Sequence, residues 1–293
     1  MRQAGVGLII LAAVLAVSIG CKQEPQQQTP GRLIVAVSII PQAWLVEQVG
    51  GEHVEVITLV KPGDSPATYQ PSDAQISRLM RASAYFRIGV PFENGRWFEA
   101  VRQARGLSVI DTRKGVKLRM MRTRDEHGHH RGGEDPHIWL SPPLLMTQAE
   151  TIADALCRLD PANVAEYKAN LASVKETLRT TDETIRETLE PIKGKAFLIF
   201  HPSWGYFADA YGLEQIAIEV EGKAPSDHEL TGLQAEARRH GARVVFVQPQ
   251  ISDKSAAAVA EAVGGRTEKL DPMAADVPGN LLKAADALVE SYR

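Results

Sequence analysis

The stretch EHGHHRGGEDPHIWLSP, Glu126 to Pro142, holds four of the chain's eight histidines. Imidazole is the commonest protein ligand for metals and titrates close to neutrality. The run therefore forms either one metal site or two different devices side by side. Two further groups stand apart from it in sequence. His201 directly follows an apolar run in LIFHPSW, and Asp271 closes TEKLDP. Two imidazoles and a carboxylate, His137, His201 and Asp271, suit a first-row divalent ion, zinc ahead of manganese or iron. Calcium and magnesium prefer all-oxygen shells. Each residue also has a plainer reading. A histidine after a strand is commonly a satisfied structural residue, and Asp before Pro is a common turn.

The elements that would position these groups repeat a scheme. RLIVAVS, VEVITLV, SAYFRIGV and LSVIDT read as strands. PQAWLVEQVGG, PSDAQISRLMRA and RWFEAVRQAR read as helices between them, the second with Ser72 as a cap. The pattern then recurs with strands KAFLIFH, LEQIAIEV, RVVFVQP and RTEKLD. In this second half SDHELTGLQAEARRHG reads as a helix opened by a capping box, Ser226 with Glu229, and closed by Gly241. Strands alternating with helices predict mostly parallel sheets. Between the halves an apolar stripe runs from Val164 through Tyr167, Leu171, Val174, Leu178 and Ile185 to Leu189. With Asp160 as cap and Pro161 in the first turn, it predicts one helix of roughly 43 Å. The fold class is thus α/β: two lobes, each with a mostly parallel four-stranded sheet, joined by one long rigid helix. Ligands of such sheets bind beyond the carboxyl ends of the strands, which directs His137, His201 and Asp271 into the cleft between lobes.

The chain has 293 residues and a formal net charge of -3, so no basic surface argues for nucleic acid. Its first residues read as an export signal. Arg2 precedes the apolar run Val6 to Val17, and AVSIGC ends in small residues before Cys21. Cys21 is the expected lipidated residue, although Ser18 stands where a Leu is usual. KQEPQQQTPG is a polar tether. The expected division is signal peptide 1–20, lipidated tether 21–31, first lobe 32–143, connecting helices 144–192 and second lobe 193–293. Cys157 falls within a helical pattern and reads as a small buried hydrophobe.

DPHIWLSP, FHPSWGYFADAYGL, EGKAPSDHEL and KLDP together resemble the zinc/manganese solute-binding proteins of bacterial ABC importers, over essentially the whole chain from about Arg32. The resemblance implies two α/β lobes with a metal held between them. It also implies delivery of that metal to a membrane permease driven by a cytoplasmic ATPase. By motif it makes His137, His201 and Asp271 ligands, and a His at position 201 points to zinc. One departure matters. The family's P-H-x-Y-x-P reads Pro66, Ala67, Thr68, Tyr69, Gln70, Pro71 here, so its ligand His is an Ala. Four repairs are open: water, Glu93 from GVPFENGRW, one of His127, His129 and His130, or a different small ligand. Gln248 and Gln250 also follow a strand, but neutral amides are poor zinc ligands and read as supporting or structural groups.

The opening stretch therefore divides. His137 belongs to the cleft. His127, His129 and His130 lie in TRDEHGHHRGG, which has no apolar anchor and reads as a loop that captures metal weakly or has no specific role. No function is assigned to His53, His228 or His240. The leading expectation is an exported, lipid-anchored, monomeric metal-binding protein, not an enzyme. The alternatives are a zinc hydrolase with Glu93 as general base and an adhesin or receptor for a non-metal ligand.

Overall fold

A computed structural model describes residues 31–121, 133–219, 223, 225–251 and 253–293. The expected signal, Cys21, and His127, His129 and His130 lie outside the described residues, as does the expected tether except Gly31.

The first half contains β1 (Leu33–Val37), α1 (Ile40–Gly50), β2 (Val54–Thr58), α2 (Asp73–Leu79), β3 (Ala84–Arg87), α3 (Trp97–Arg102) and β4 (Ser108–Asp111). The strands form one parallel sheet in the order β2-β1-β3-β4. The register pairs Leu33 with Val54, Val35 with Ala84, and Ala84 with Ser108. The central strand β1 is apolar along its length, as a strand covered on both faces must be. The edge strand β2 is less buried, with Glu55 exposed and only Val54 and Ile57 buried.

Two helices follow, α4 (Pro142–Leu159) and α5 (Val164–Leu189). The second half then holds β5 (Ala196–Ile199), α6 (Gly205–Tyr211), β6 (Glu214–Ala217), α7 (Asp227–His240), β7 (Val244–Val247), α8 (Asp253–Ala262), β8 (Arg266–Lys269) and α9 (Val277–Glu290). Its strands are again parallel, in the order β6-β5-β7-β8. Both sheets therefore have the same strand order, with the chain reversing direction between the first and third strands of each. The predicted capping box at Ser226 and Glu229 is present, and Gly241 ends α7 in the left-handed region at φ 66°.

The long helix is a little shorter than its sequence suggests. Pro161–Asn163 make a 3₁₀ turn, and α5 begins only at Val164, giving 26 residues or about 39 Å. Asp160 does not cap it. Its carboxylate instead accepts hydrogen bonds from Asn163 Nδ2 and the Tyr167 hydroxyl, both at 2.7 Å. The buried stripe is Tyr167, Val174, Leu178, Thr181, Ile185 and Leu189, with Thr181 filling the gap between Leu178 and Ile185. Through this face α5 packs on α4, on α1 from the first half and on α6 and α9 from the second. One core runs continuously from β1 and β3 across α4 and α5 to Phe197, Phe246 and α9. A second core lies on the other face of the second sheet, under α7 and α8. Residues Arg32–Arg293 form one compact unit. Among the described residues no helix is long and apolar enough to cross a membrane.

Candidate metal site

His137 sits where the chain leaves the first half. Pro136 fixes the approach, a 3₁₀ turn follows at Ile138–Leu140, and α4 starts at Pro142. Asp135 organises this corner. Its Oδ1 accepts the His137 backbone N–H at 3.0 Å and lies 2.7 Å from His137 Nδ1. A carboxylate at Nδ1 keeps the proton there and leaves Nε2 as the nitrogen able to bind a metal. Burial pushes the His137 pKa down. The contact with Asp135 pulls it up, but the balance lies below the ordinary value. The imidazole is thereby held neutral, which is the ligating form.

Asp135 is itself buried, at 1% exposure. Arg119 Nη1 faces its Oδ2 at 3.6 Å, and neither atom has a hydrogen-bond partner. The same guanidinium reaches Asp209 of α6 through Nε at 3.1 Å. Its path is open because residue 205 is glycine: a Cβ there would lie 1.4 Å from Arg119 Nη1. Tyr206 completes the join. Its hydroxyl donates to the Asp135 carbonyl and accepts from the Arg119 N–H, both at 3.0 Å. Close by, the buried Trp139 indole N–H donates to the Pro272 carbonyl at 2.6 Å. The corner that carries His137 is thus pinned to α6 and to the loop after β8.

The other wall is built from strand ends. His201 follows β5, Glu219 follows β6, Gln248 follows β7 and Asp271 follows β8. In sheet order these residues run Glu219, His201, Gln248, Asp271 along one edge, with His201 and Gln248 flanking the point where the chain reverses. Glu219 Oε1 lies 2.7 Å from His201 Nδ1, and Gln248 Oε1 accepts the His201 N–H at 3.4 Å. His201 therefore presents Nε2 in the same manner as His137. The two rings are 5.3 Å apart between centroids, inclined at 72°. They share a cavity of about 250 Å³ whose wall includes Ala67, Trp139, Glu219, Gln248 and Met273.

Known proteins of similar sequence and shape can be set beside this geometry. Residues 35–291 match the family described as zinc-uptake complex component A, periplasmic, or ZnuA. The chain belongs to the ZnuA family. A crystal structure of ZnuA superposes with a TM-score of 0.81 at 39% identity, covering 89% of this chain and 100% of that one. The zinc-binding protein AdcA of Streptococcus pyogenes serotype M3 is 26% identical over 271 residues, which is 86% of this chain and 52% of AdcA. The chain thus spans about half the length of AdcA. The high-affinity zinc uptake system protein ZnuA of Bacillus subtilis is 25% identical over 283 residues, 91% of this chain and 88% of that protein. These relatives are named as metal-binding and uptake proteins.

The expected site residues can now be placed. His137 and His201 come together. Asp271 is not among the described residues that line the cavity; one carboxylate oxygen accepts the Met273 N–H at 2.9 Å. Its neighbours Pro272 and Met273 do line the wall. Glu93, one of the four repairs left open for Ala67, serves elsewhere in the ZnuA-type fold found here. It is fully buried and accepts from Ser38 Oγ at 2.5 Å, Ile88 N–H at 2.9 Å, Gly89 N–H at 2.7 Å and Arg87 Nε at 3.1 Å. That set of bonds corrects the expectation: Glu93 braces the turn after β3 and does not face the cavity. Ala67 stands on the wall and offers only a methyl group. Among the described residues no group of three or more His, Cys, Asp and Glu side chains is placed to hold a metal ion. Sequence reasoning passed over Asp135, Arg119 and Glu219. The last had a usable signal, since Glu219 ends the strand run LEQIAIEV and obeys the same strand-end rule that singled out His201.

Proposed function

We propose that the chain captures a divalent metal ion, zinc, outside the cytoplasm and delivers it to the membrane permease of an ABC importer. One observation carries this reading. Two imidazoles from different halves of the chain are each braced at Nδ1 by a buried carboxylate, and both open onto one cavity. Braced, neutral imidazoles with Nε2 outward are the donors that zinc selects. The zinc-binding and zinc-uptake relatives support the same ion.

In this reading residues 32–143 and 193–293 act as lobes about the connecting helices 144–192. His137 and His201 are ligands, and Asp271 joins them through a small shift of the loop after β8. His127, His129 and His130 serve as a weak accessory capture loop. Lipid on Cys21 anchors a monomer at the outer face of a membrane. It is a binding protein and not an enzyme in this reading, in keeping with the commitment of Glu93, the residue weighed as a hydrolytic base, to four hydrogen bonds inside the first half. The test is zinc titration of chelator-stripped protein against a competing chromophoric chelator. His137→Ala and His201→Ala each lose tight binding while keeping a cooperative unfolding transition. Unchanged affinity in both variants overturns the reading.

A further inference from the structure

The strands of the first sheet are parallel and nearly level at their starts, with Leu33 beside Val54, Val35 beside Ala84 and Ala84 beside Ser108. Their amino ends therefore share one edge. The cavity lies at the opposite edge, because residues 65–68, Val90 and Pro91, which line it, follow the carboxyl ends of β2 and β3. The segments that reach the amino edge carry arginines. Arg32 precedes β1, Arg78 and Arg81 flank the end of α2, and Arg102 and Arg105 flank the end of α3; all five are exposed. The crossovers from β2 to β3 and from β3 to β4 run the same way across the sheet, so right-handed connections put α2 and α3 on one face. α1 crosses the other way and packs on α4 and α5. The arginines of α2 and α3 thus share the outer side. Two carboxylates stand among them, Glu55 paired with Arg78 at 3.4 Å and Glu99 with Arg102 at 3.6 Å. Glu52 stands in the turn that His53 ties to Glu166 of α5, toward the other face. The arginines outnumber the two paired carboxylates by three, in a chain whose formal net charge is -3. Between Arg78 and Arg81 lies Met80, 39% exposed and one of two large apolar side chains exposed among the described residues.

We propose that this edge rests on the anionic phospholipid headgroups of the membrane that holds the chain, with the arginines on the headgroups and Met80 entering the boundary beneath them. The proposal rests on the anchoring of Cys21 in the reading above and adds an orientation to it. The chain outside the compact unit selects a bilayer as the partner. Residues 21–31 join the expected lipid to Arg32, which is itself on this edge. Eleven residues span at most about 40 Å, so the edge at Arg32 is the part of the body kept closest to the bilayer. Basic side chains beside an apolar one are what an interfacial surface needs. Each arginine close to an anionic bilayer strengthens binding about fivefold, so an excess of three gives roughly 100-fold. That attraction fades within a Debye length, about 10 Å at 0.1 M salt, and a tether supplies the high local concentration that a weak patch requires. With the amino edge on the lipid, the cavity at the other edge stays clear of it.

The test uses the chain from Lys22, which carries no lipid and keeps the compact unit Arg32–Arg293 whole. Flotation with vesicles of phosphatidylglycerol and phosphatidylcholine in equal parts is compared with phosphatidylcholine alone. The expected result is binding at least tenfold tighter to the anionic vesicles at low salt, abolished in about 1 M salt, where the Debye length is about 3 Å. The triple variant Arg32→Gln, Arg81→Gln, Arg105→Gln weakens it roughly 100-fold with Tm unchanged. Met80→Ser weakens it severalfold. The triple variant Arg238→Gln, Arg239→Gln, Arg243→Gln removes the same charge from the amino edge of the second sheet, where all three are exposed, and leaves binding within about twofold of the parent. Equal losses in the two triple variants overturn the proposal, since bulk charge would then explain the binding. Failure to bind anionic vesicles overturns it too, as does binding of soluble polyglutamate in their place. Those outcomes leave the metal and anchoring readings intact. The anchor is tested separately: an unacylated Cys21, seen in the mass of the purified full chain, defeats the anchoring reading whatever the vesicles show.

Discussion

A single methyl group at residue 205 tests the bracing of His137. In Gly205→Ala the new Cβ would lie 1.4 Å from Arg119 Nη1 and 2.6 Å from Cζ. Ordinary contact needs about 3.5 Å, so the guanidinium must retreat by about 2 Å. Retreat separates it from Asp135, which is 1% exposed, and from Asp209, which is 59% exposed. The Asp209 pair is worth under about 1 kcal/mol. The Asp135 pair matters more, because its loss leaves a buried carboxylate without its cation. A well-formed buried pair costs about 3–5 kcal/mol to break, but this one has no direct hydrogen bond across its 3.6 Å. Taken with about 1–3 kcal/mol for overpacking, the expected loss is about 2 kcal/mol. That corresponds to a fall of roughly 4–8 °C in Tm. The cost shrinks when Arg119 is removed first. Gly205 lies at the start of α6, where alanine is the better residue by about 0.4–1 kcal/mol, and the contact left is the 3.0 Å approach of the new Cβ to Asp135 Oδ2. In an Arg119→Met background Gly205→Ala therefore costs less than in the parent. Urea unfolding of the four proteins gives the coupling energy directly. Additive costs within about 0.5 kcal/mol would refute the argument that Gly205 exists to admit Arg119.

Three other outcomes follow from the same geometry. Trp139→Phe keeps an aromatic ring but shrinks a buried side chain and strips the Pro272 carbonyl of its donor, and should cost at least about 1–3 kcal/mol in urea unfolding; a loss below about 0.5 kcal/mol would count against the bond as a tie between the halves. Glu219→Gln keeps the size of the side chain but removes the charge behind His201, and should weaken zinc binding by about 10–100-fold with little change in Tm; equal affinity in parent and variant would contradict a bracing role. At Asp111 burial favours the protonated acid, but hydrogen bonds from Arg113 Nε at 2.9 Å and Nη2 at 2.6 Å, with the Arg113 N–H and charge, outweigh it and hold the carboxyl below its ordinary range. A depressed folded-state pKa adds stability above the unfolded value near 3.9 that is lost as pH falls through the folded value. Asp111→Asn should therefore lie below the parent in thermal scans at pH 6 and approach it by pH 3, and a gap independent of pH would reject this account.

Much of the fold was legible because both sheets are parallel and covered. Strands such as LIVAV and VVFV are apolar throughout and are bounded by helices with caps and glycines, so their positions stand out. The site was legible only where a residue of familiar ligand chemistry stood at the end of an element. His201 follows a strand, and His137 stands just before the helix that leaves the first half. Glu219 stands at a strand end too, but its partner His201 sits 18 residues away on the neighbouring strand, and the pairing depends on β5 and β6 being adjacent. Arg119 and Gly205 could not be found this way. Their relation is a close approach between the segment after β4 and the start of α6, which no local pattern encodes. Glu93 misled for a related reason. A carboxylate after a strand looks available, yet two backbone N–H groups, a serine hydroxyl and an arginine claim it once the turn after β3 is formed.

The proposed capture and release of metal have to be reconciled with a long helix that is unbroken. α5 is continuous from Val164 to Leu189 and is buried against helices of both halves, so it offers none of the loop or element-terminal positions at which hinges absorb rotation. Separation of the cavity walls must instead break the ties that cross them: Trp139 to Pro272, Tyr206 to Asp135, the Arg119 N–H to Tyr206 and Arg119 to Asp209. The three hydrogen bonds are worth about 1 kcal/mol net each, so parting the walls costs about 3 kcal/mol before the proposed ion's own bonds are counted. A cost of that size favours the closed form by roughly 150-fold at 25 °C. It is also small enough for a docking partner to overcome through differential contacts with the open form. In the proposed reading the carboxylates behind His137 and His201 set how strongly the closed cavity holds its cargo, and the cross-wall ties set how readily a partner opens it.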